Sequence, residues 1–304
     1  MVYTVTLNPA IDYVIKTDGL SAGVINRSKH GKIFYGGKGI NVSVILSRLG
    51  VENKALGFLA GFTGRELERL LTADGVSSEF IYLESGLTRI NVKIKSNGEY
   101  DINADGPEIS EADIEKLLDK LGEIKDGDYL VIAGSVPKSL PADVYERILS
   151  RLEGRNISFV IDAEDGLLKS ALKYRPFLIK PNHLELGALF GVKTETDAEI
   201  IKYAKELQSL GAKNVLVSRA ENGAILLDEN SGVTGIKTVK GTLVNSVGCG
   251  DSMLAGFIAG YIKTKSYSEA LRLAAACGNA TAFSGQLADK NEIERIYGVL
   301  NTDV

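Results

Sequence analysis

Cysteine is scarce in this chain. Cys249 and Cys277 are its two cysteines, too few for a disulfide framework and not at a metal-ligand spacing. Cys249 falls inside a glycine-rich turn and is expected to be a small filler there. Cys277 lies in an alanine-rich apolar stretch and is expected in a core. Long apolar runs are also missing: none reaches the ~18–20 residues of a membrane span, and the richest stretch, 253–262, carries two glycines. Basic runs are absent too. With 35 Lys+Arg against 39 Asp+Glu the formal charge is −4, which argues against a nucleic-acid partner. The opening residues, Met1-Val2-Tyr3-Thr4-Val5-Thr6-Leu7, read as a strand rather than a secretory leader. A cytoplasmic protein with no membrane partner is the expectation. No Gly-Lys-Ser/Thr occurs, which excludes a Walker A loop, and no Gly-x-Gly-x-x-Gly follows the first strand, which argues against a Rossmann oxidoreductase. His30 and His183 have no partner that would make either a base or a ligand.

What the chain does have is strand–helix alternation. Its 304 residues suit one large domain, or one domain with an appendage. Helical 111–122 precedes a strand at 129–133, helical 141–152 precedes 157–162, and helices near 164–173 and 183–190 flank 177–179. Helix 197–210 leads to 215–218, then 223–227 and 233–239 look antiparallel, and three helices close the chain. This order predicts a parallel sheet covered by helices. The N-terminal third differs. Strand 2–7 and helix 40–49 fit the core, but 11–17, 24–35, 88–95 and 99–104 are extended and alternating, with Asn97-Gly98 marking a hairpin turn. These pieces are too few for a core of their own. They predict a small sheet beside the main domain, able to act as a lid that excludes water.

The sharpest chemical signal is Val247-Gly248-Cys249-Gly250-Asp251-Ser252, directly ahead of an apolar helix. Glycines let backbone approach a ligand, and the first-turn amides of a helix have no intrahelical partner. Together with the helix dipole they favour an anion such as phosphate. A carboxylate there suits a base beside a transferring phosphoryl group. Taken alone, the pattern equally describes a glycine turn with Asp251 as a stabilising helix-start carboxylate. Gly36-Gly37-Lys38-Gly39-Ile40-Asn41 is a second glycine-rich turn opening a helix: either a tight strand–helix loop or, since three glycines cost entropy unless backbone must approach something closely and Lys38 and Asn41 would point at the same helix start, a place for a polyol carrying phosphate. In Thr88-Arg89-Ile90-Asn91-Val92-Lys93-Ile94, strand alternation puts Arg89, Asn91 and Lys93 on one face. That face is either plainly solvated or the polar side of a lid, with Arg89 clamping phosphate. Asn182 and Glu185, after Lys180-Pro181, have capping-box spacing; alternatively Glu185 orients a Mg²⁺ through water. Asp12 is either an exposed acid or a hydrogen-bond acceptor for two sugar hydroxyls.

The Gly-Gly-Lys-Gly-Ile-Asn-Val run, the Asn-x-x-Glu after Lys-Pro and the Val-Gly-x-Gly-Asp-Ser run resemble the ribokinase-like PfkB sugar kinase family, in its order and across almost the whole chain. The Thr-Leu-Asn-Pro-Ala-Ile-Asp and Thr-Arg-Ile-Asn-Val-Lys-Ile stretches are most similar to its 1-phosphofructokinase branch. The resemblance implies a three-layer α/β/α core (residues 1–10, 36–87 and 106–304) with a β-sheet lid (11–35 and 88–105), often paired with a second subunit's lid as a homodimer. It implies that Asp251 is the catalytic base and that the amides of Gly248, Cys249 and Gly250 form the anion hole. Asp12, Gly37, Lys38, Asn41, Arg89 and Ser135 would hold a phosphosugar. Lys180, Asn182, Glu185, Ser218, Gly223 and Asn279 would lie around ATP and its Mg²⁺. Cys249 stands where the family usually has Ala, which leaves the backbone donors in place. Ala220 stands for a usual Gly, and Asp162-Ala163-Glu164 lacks the family's frequent hydroxyls and receives no role.

The expected activity is ATP-dependent phosphorylation of fructose 1-phosphate at its 6-hydroxyl. Tagatose 6-phosphate is the alternative acceptor, since it differs chiefly at one ring hydroxyl. An unphosphorylated sugar or nucleoside is disfavoured by Lys38 and Arg89, cations expected to serve a phosphate. A non-catalytic sugar-phosphate sensor on the same fold is the alternative of another class, and Asp251 with its anion loop argues against it.

Overall fold

A computed structural model of the chain describes residues 1–28, 30–163 and 165–300. The chain begins with β1 (Val2–Thr6), runs outward through β2 (Ala10–Lys16) and β3 (His30–Gly36), and returns in α1 (Lys38–Arg48). A β–α–β stretch follows: β4 (Asn53–Ala60), α2 (Gly61–Ala73) and β5 (Ile81–Leu83). A hairpin, β6 (Arg89–Lys95) and β7 (Glu99–Ile102), leaves the core again. Alternation then resumes with α3 (Glu111–Gly122), β8 (Tyr129–Ala133), α4 (Val144–Arg151), β9 (Ser158–Asp162) and α5 (Asp165–Ala171). Next come β10 (Leu178–Ile179), α6 (His183–Phe190), α7 (Asp197–Ser209), β11 (Asn214–Ser218), β12 (Ala224–Leu227) and β13 (Val233–Ile236). Helices α8 (Cys249–Thr264), α9 (Tyr267–Ala282) and α10 (Lys290–Val299) close the described chain.

The main sheet has nine strands in the order β13-β12-β11-β10-β9-β8-β1-β4-β5. Pairing is parallel from β11 through β5 and antiparallel at β12 and β13. Parallel strands covered on both faces need side chains that are apolar on both, and every residue of β8, Tyr-Leu-Val-Ile-Ala, is buried. Alternation sends Leu130 and Ile132 to one core, with α3 to α7, and Val131 and Ala133 to the other, with α1, α8, α9 and α10. A third cluster joins α1 and α2 to β4. The result is a three-layer α/β/α sandwich. No helix among the described residues is long and apolar enough to cross a membrane.

Glycine sets how closely α1 meets β1. A Cβ added at Gly39 would sit 2.5 Å from Thr6 Oγ1 and 2.9 Å from the Val5 carbonyl oxygen. One at Gly37, whose φ is 122°, would sit 2.8 Å from Thr6 Cγ2. The glycines of this turn therefore answer first to helix–strand packing, where the sequence pattern suggested a ligand.

The second sheet has four strands, β3-β2-β6-β7. Register puts Asp12 between Phe34 and Asn91, and Val14 between Lys32 and Lys93, on one face. Tyr13, Ile33 and Val92 share the other face with Ile90, Tyr100 and Ile102, and of these all but Val92 are exposed. The predicted 24–35 strand starts only at His30. Upstream, the Asn26 side chain accepts from the Ser21 amide and donates to the Ser21 and Val24 carbonyls, closing a local turn that competes with extension. Helix α4 begins at Val144 rather than 141, after the turn in which the Val144 amide donates to the Pro141 carbonyl.

Candidate active site

In an open α/β sheet, ligands bind beyond the carboxyl ends of the strands, where strand order reverses. Here the order reverses at β1, which pairs with both β4 and β8. The polar residues gather there. β1 leads to Asn8, β8 to Gly134 and Ser135, β9 ends in Asp162, β10 leads to Lys180 and Asn182, and β11 ends in Ser218. All line one cleft of about 1240 Å³, whose other walls are the starts of α1 and α8 and the polar face of the second sheet. That volume exceeds the ~300–1,000 Å³ typical of a pocket for one small ligand, so two substrates can sit in it together.

Helix α8 starts from Gly248 in the left-handed region, φ 80° and ψ −2°, a conformation that glycine adopts without strain. This turn sets the amides of Cys249, Gly250 and Asp251 at a helix N-terminus, with no preceding helical carbonyl to accept from them. Asp251 is 7% exposed. Its Oδ2 accepts from Asn41 Nδ2 at 2.7 Å. Among the described residues no ion pair is formed by Asp251. Burial first, and then the nearby Asp162 carboxylate, push its carboxyl up to about 6, against the Asn41 hydrogen bond and the charges of Lys180 and Lys38. A carboxyl in that range is ionised at neutral pH and still basic enough to accept a proton. Cys249 is inert by comparison: its S–H donates to the Asn245 carbonyl, and burial pushes the thiol up to about 11.

Asp162 is the residue that the sequence reading passes over. It is 2% exposed, with Oδ1 3.0 Å from Lys38 Nζ and Oδ2 3.2 Å from Lys180 Nζ. Burial would raise its carboxyl, but the two ammonium groups prevail and hold it below its usual value. Lys38 moves the opposite way and is raised: burial lowers it, and Asp162 followed by Asp251 outweigh that. The signal for Asp162 lies in Ser158-Phe159-Val160-Ile161-Asp162, an apolar parallel strand ending on a carboxylate at the sheet's ligand-binding edge. Lys180, itself 5% exposed, reaches under the α8 start, where a Cβ on Gly250 would come 3.1 Å from its Nζ.

On the second sheet, Asp12 Oδ1 accepts from Asn91 Nδ2 at 2.9 Å. Burial raises its carboxyl, opposed by that bond and by Lys93 and Arg89. Arg89 Nη2 and Nε donate to the Asn8 carbonyl at 3.0 and 3.2 Å, which fixes the guanidinium at the cleft wall. Asn182 and Glu185 form the capping box of α6: the Glu185 amide donates to Asn182 Oδ1 at 2.9 Å, and the Asn182 amide to Glu185 Oε2 at 2.7 Å. Glu185 still lines the cleft. Among the described residues no group of three or more His, Cys, Asp or Glu could hold a metal ion.

The cleft brings together Asp12, Gly37, Lys38, Asn41, Arg89, Ser135, Lys180, Asn182, Glu185, Ser218, Gly248, Gly250 and Asp251. Gly223, Asn279 and Cys249 are not among the residues that line it, although Cys249 sits between the lining residues Gly248 and Gly250. Gly223, φ 88°, packs on β13, where a Cβ would overlap the Ile236 carbonyl oxygen. Asn279 accepts from the Val239 amide and donates to the Ala275 carbonyl, so its amide is engaged in holding α9 to the 239 segment. Lys38 and Asn41, expected on the sugar, are turned toward Asp162 and Asp251.

A family model described as pfkB family carbohydrate kinase matches residues 4–294. A 1-phosphofructokinase of Bacillus subtilis is 43% identical over 97% of this chain and 97% of its own length. A D-tagatose-1-phosphate kinase of Bacillus licheniformis is 40% identical, again over 97% of both. The crystal structure of phosphofructokinase-2 from Escherichia coli in complex with substrates and products superposes with a TM-score of 0.91 at 27% identity, covering 98% of this chain and 99% of that one.

Proposed function

This chain belongs to the pfkB family of carbohydrate kinases, and we propose that it phosphorylates fructose 1-phosphate at the 6-hydroxyl, with ATP as donor. The observation that carries the reading is the buried Asp251 carboxylate, held by Asn41 beside the open amides of α8, in a cleft shared with the second sheet. Asp251 accepts the 6-hydroxyl proton as O6 bonds to the terminal phosphorus of ATP. The bond from that phosphorus to its bridging oxygen breaks, and ADP leaves with the electron pair. The amides of Gly248, Cys249 and Gly250 stabilise the charge spread over the transferring group. Lys180, Asn182 and Ser218 line the donor side of the cleft. Glu185, through water, would hold a Mg²⁺ that neutralises the phosphates when bound. On the acceptor side Asp12 takes hydrogen bonds from ring hydroxyls and Arg89 meets the 1-phosphate, while the second sheet closes over both as a lid. ATP chemistry and the two free thiols suit a cytoplasmic setting.

Tagatose 1-phosphate is the second reading, because a relative at 40% identity is named a D-tagatose-1-phosphate kinase. Tagatose 6-phosphate, the alternative considered from sequence, is compared alongside it. A coupled assay of ADP release across fructose 1-phosphate, tagatose 1-phosphate, fructose 6-phosphate and tagatose 6-phosphate tests the choice. The highest kcat/KM is expected with fructose 1-phosphate; a higher value with either tagatose phosphate would overturn it. For the exposed apolar lid face around Tyr13, Ile33 and Ile90, the proposed cover is a second copy of the chain. Ile33→Glu should then shift the sedimentation coefficient toward the monomer, and a wild-type protein that already sediments as a monomer refutes the pairing.

A further inference from the structure

Asp251 has two cations beside it, the buried Lys180 and the partly exposed Lys38, and pairs with neither. Its hydrogen bond goes to the neutral amide of Asn41, although Lys38 is only three residues before Asn41 in the chain and Lys180 reaches under Gly250. Both ammonium groups are instead drawn to Asp162, one on each carboxylate oxygen. We propose that Asp162 is a positioning residue for phosphoryl transfer, holding the ammonium groups of Lys38 and Lys180 on itself and so keeping them off the carboxylate of Asp251. The inference deepens the kinase reading and rests on it.

An ammonium withdrawn from water is costly to leave without an anion, most of all at Lys180, which is buried. Two lysines line this cleft, and the carboxylates whose charge acts on Lys38 are Asp162, Asp251 and Glu185. Glu185 already has one oxygen in the capping box of α6. Without Asp162, the remaining buried partner is the base itself. A base engaged by one or two ammonium groups would be a weaker proton acceptor, and its oxygens would not be free to face a hydroxyl. Asp162 thus keeps the positive charge of Lys38 and Lys180 near the transferring phosphate while Asp251 stays available. The charged groups facing Asp251 are Lys38 from α1, Asp162 from β9 and Lys180 after β10.

The test is a mutant cycle read without substrate, by titrating the ¹³C-labelled aspartate carboxyls of the full chain by NMR. The Asp251 signal is assigned by its loss in Asp251→Asn. Four proteins are compared: wild type, Asp162→Asn, Lys38→Met, and both changes together. Asp162→Asn should lower the Asp251 midpoint by about one pH unit or more. Lys38→Met should raise it by more in the Asp162→Asn background than in wild type, because only there has the ammonium moved onto Asp251. A fixed arrangement of charges gives equal effects in both backgrounds, and that result overturns the proposal. Turnover at pH 8, where Asp251 is ionised in every variant, should fall about tenfold or more in Asp162→Asn; an unchanged kcat would equally sink it. If Asp162→Asn and Asp162→Ser both fail to fold, the role of Asp162 is structural and the inference is wrong. Because the titration needs no acceptor, it holds whether or not fructose 1-phosphate proves to be the substrate.

Discussion

Replacing Asp251 with asparagine should destroy activity and make the protein more stable. The new side chain has the same shape, and its carbonyl oxygen can still accept from Asn41 Nδ2, which lies 2.7 Å from Oδ2. Only the charge and the basicity are lost. Removing a positioned base costs ~10²–10⁴ in rate, so kcat should fall by at least about a hundredfold while the affinity for fructose 1-phosphate changes little. Stability follows from linkage. The carboxyl rises from its ordinary 3.8 to about 6 on folding, so the folded state binds the proton more tightly than the unfolded chain. That penalty on the ionised form builds between those two pH values and is fully present above about 6. It amounts to about 3 kcal/mol. Asp251→Asn removes it, so the variant should unfold at a temperature several degrees above wild type at pH 8. Below about pH 4 the advantage should vanish. Initial rates from ADP release, calorimetric binding of fructose 1-phosphate and thermal unfolding at the two pH values provide the measurements. Retention of a tenth of the wild-type kcat would show that Asp251 is not the base. An inactive variant less stable than wild type at pH 8 would show that its carboxylate is structural.

Further outcomes follow from the same geometry. In wild type, kcat/KM should fall tenfold per pH unit below an acid limb near pH 6, because the ionised form of Asp251 is the active one; a limb near pH 4 would contradict the burial argument. Asn41→Ala removes the bond that favours the ionised carboxylate, so the acid limb should move upward and kcat fall, as a pH–rate series would show. Gly223→Ala should destabilise the protein by about 1–3 kcal/mol or more through overlap with the Ile236 carbonyl at a positive φ. Where that variant folds, its KM for ATP should stay within about twofold of wild type; a selective rise in KM would return Gly223 to the nucleotide site.

Much of the site was legible because its signals are local. The glycine turn before α8, the capping-box spacing of Asn182 and Glu185 and the alternation of Arg89, Asn91 and Lys93 each reside within a few residues, and each took the geometry its spacing implied. The core strands were legible for the same reason, since a buried parallel strand must be apolar on both faces. The short strand β5 and the two-residue β10 carry too few residues for any pattern to stand out.

Which polar groups meet was decided only in three dimensions. Asn41 and Asp251 are 210 residues apart, and Lys38 and Asp162 are 124 apart. No spacing encodes either pair, because each joins the start of α1 to a distant element, α8 for Asp251 and the end of β9 for Asp162, that only the assembled fold brings to the same cleft. The same holds for Gly223 and Asn279, whose family motifs pointed to nucleotide while packing engaged one against β13 and the other in bonds to backbone. Local sequence determines where a helix can start and which face of a strand is polar. The partner of a buried charge is chosen by burial itself, since an ammonium deprived of water must find whichever carboxylate the assembled fold sets nearest.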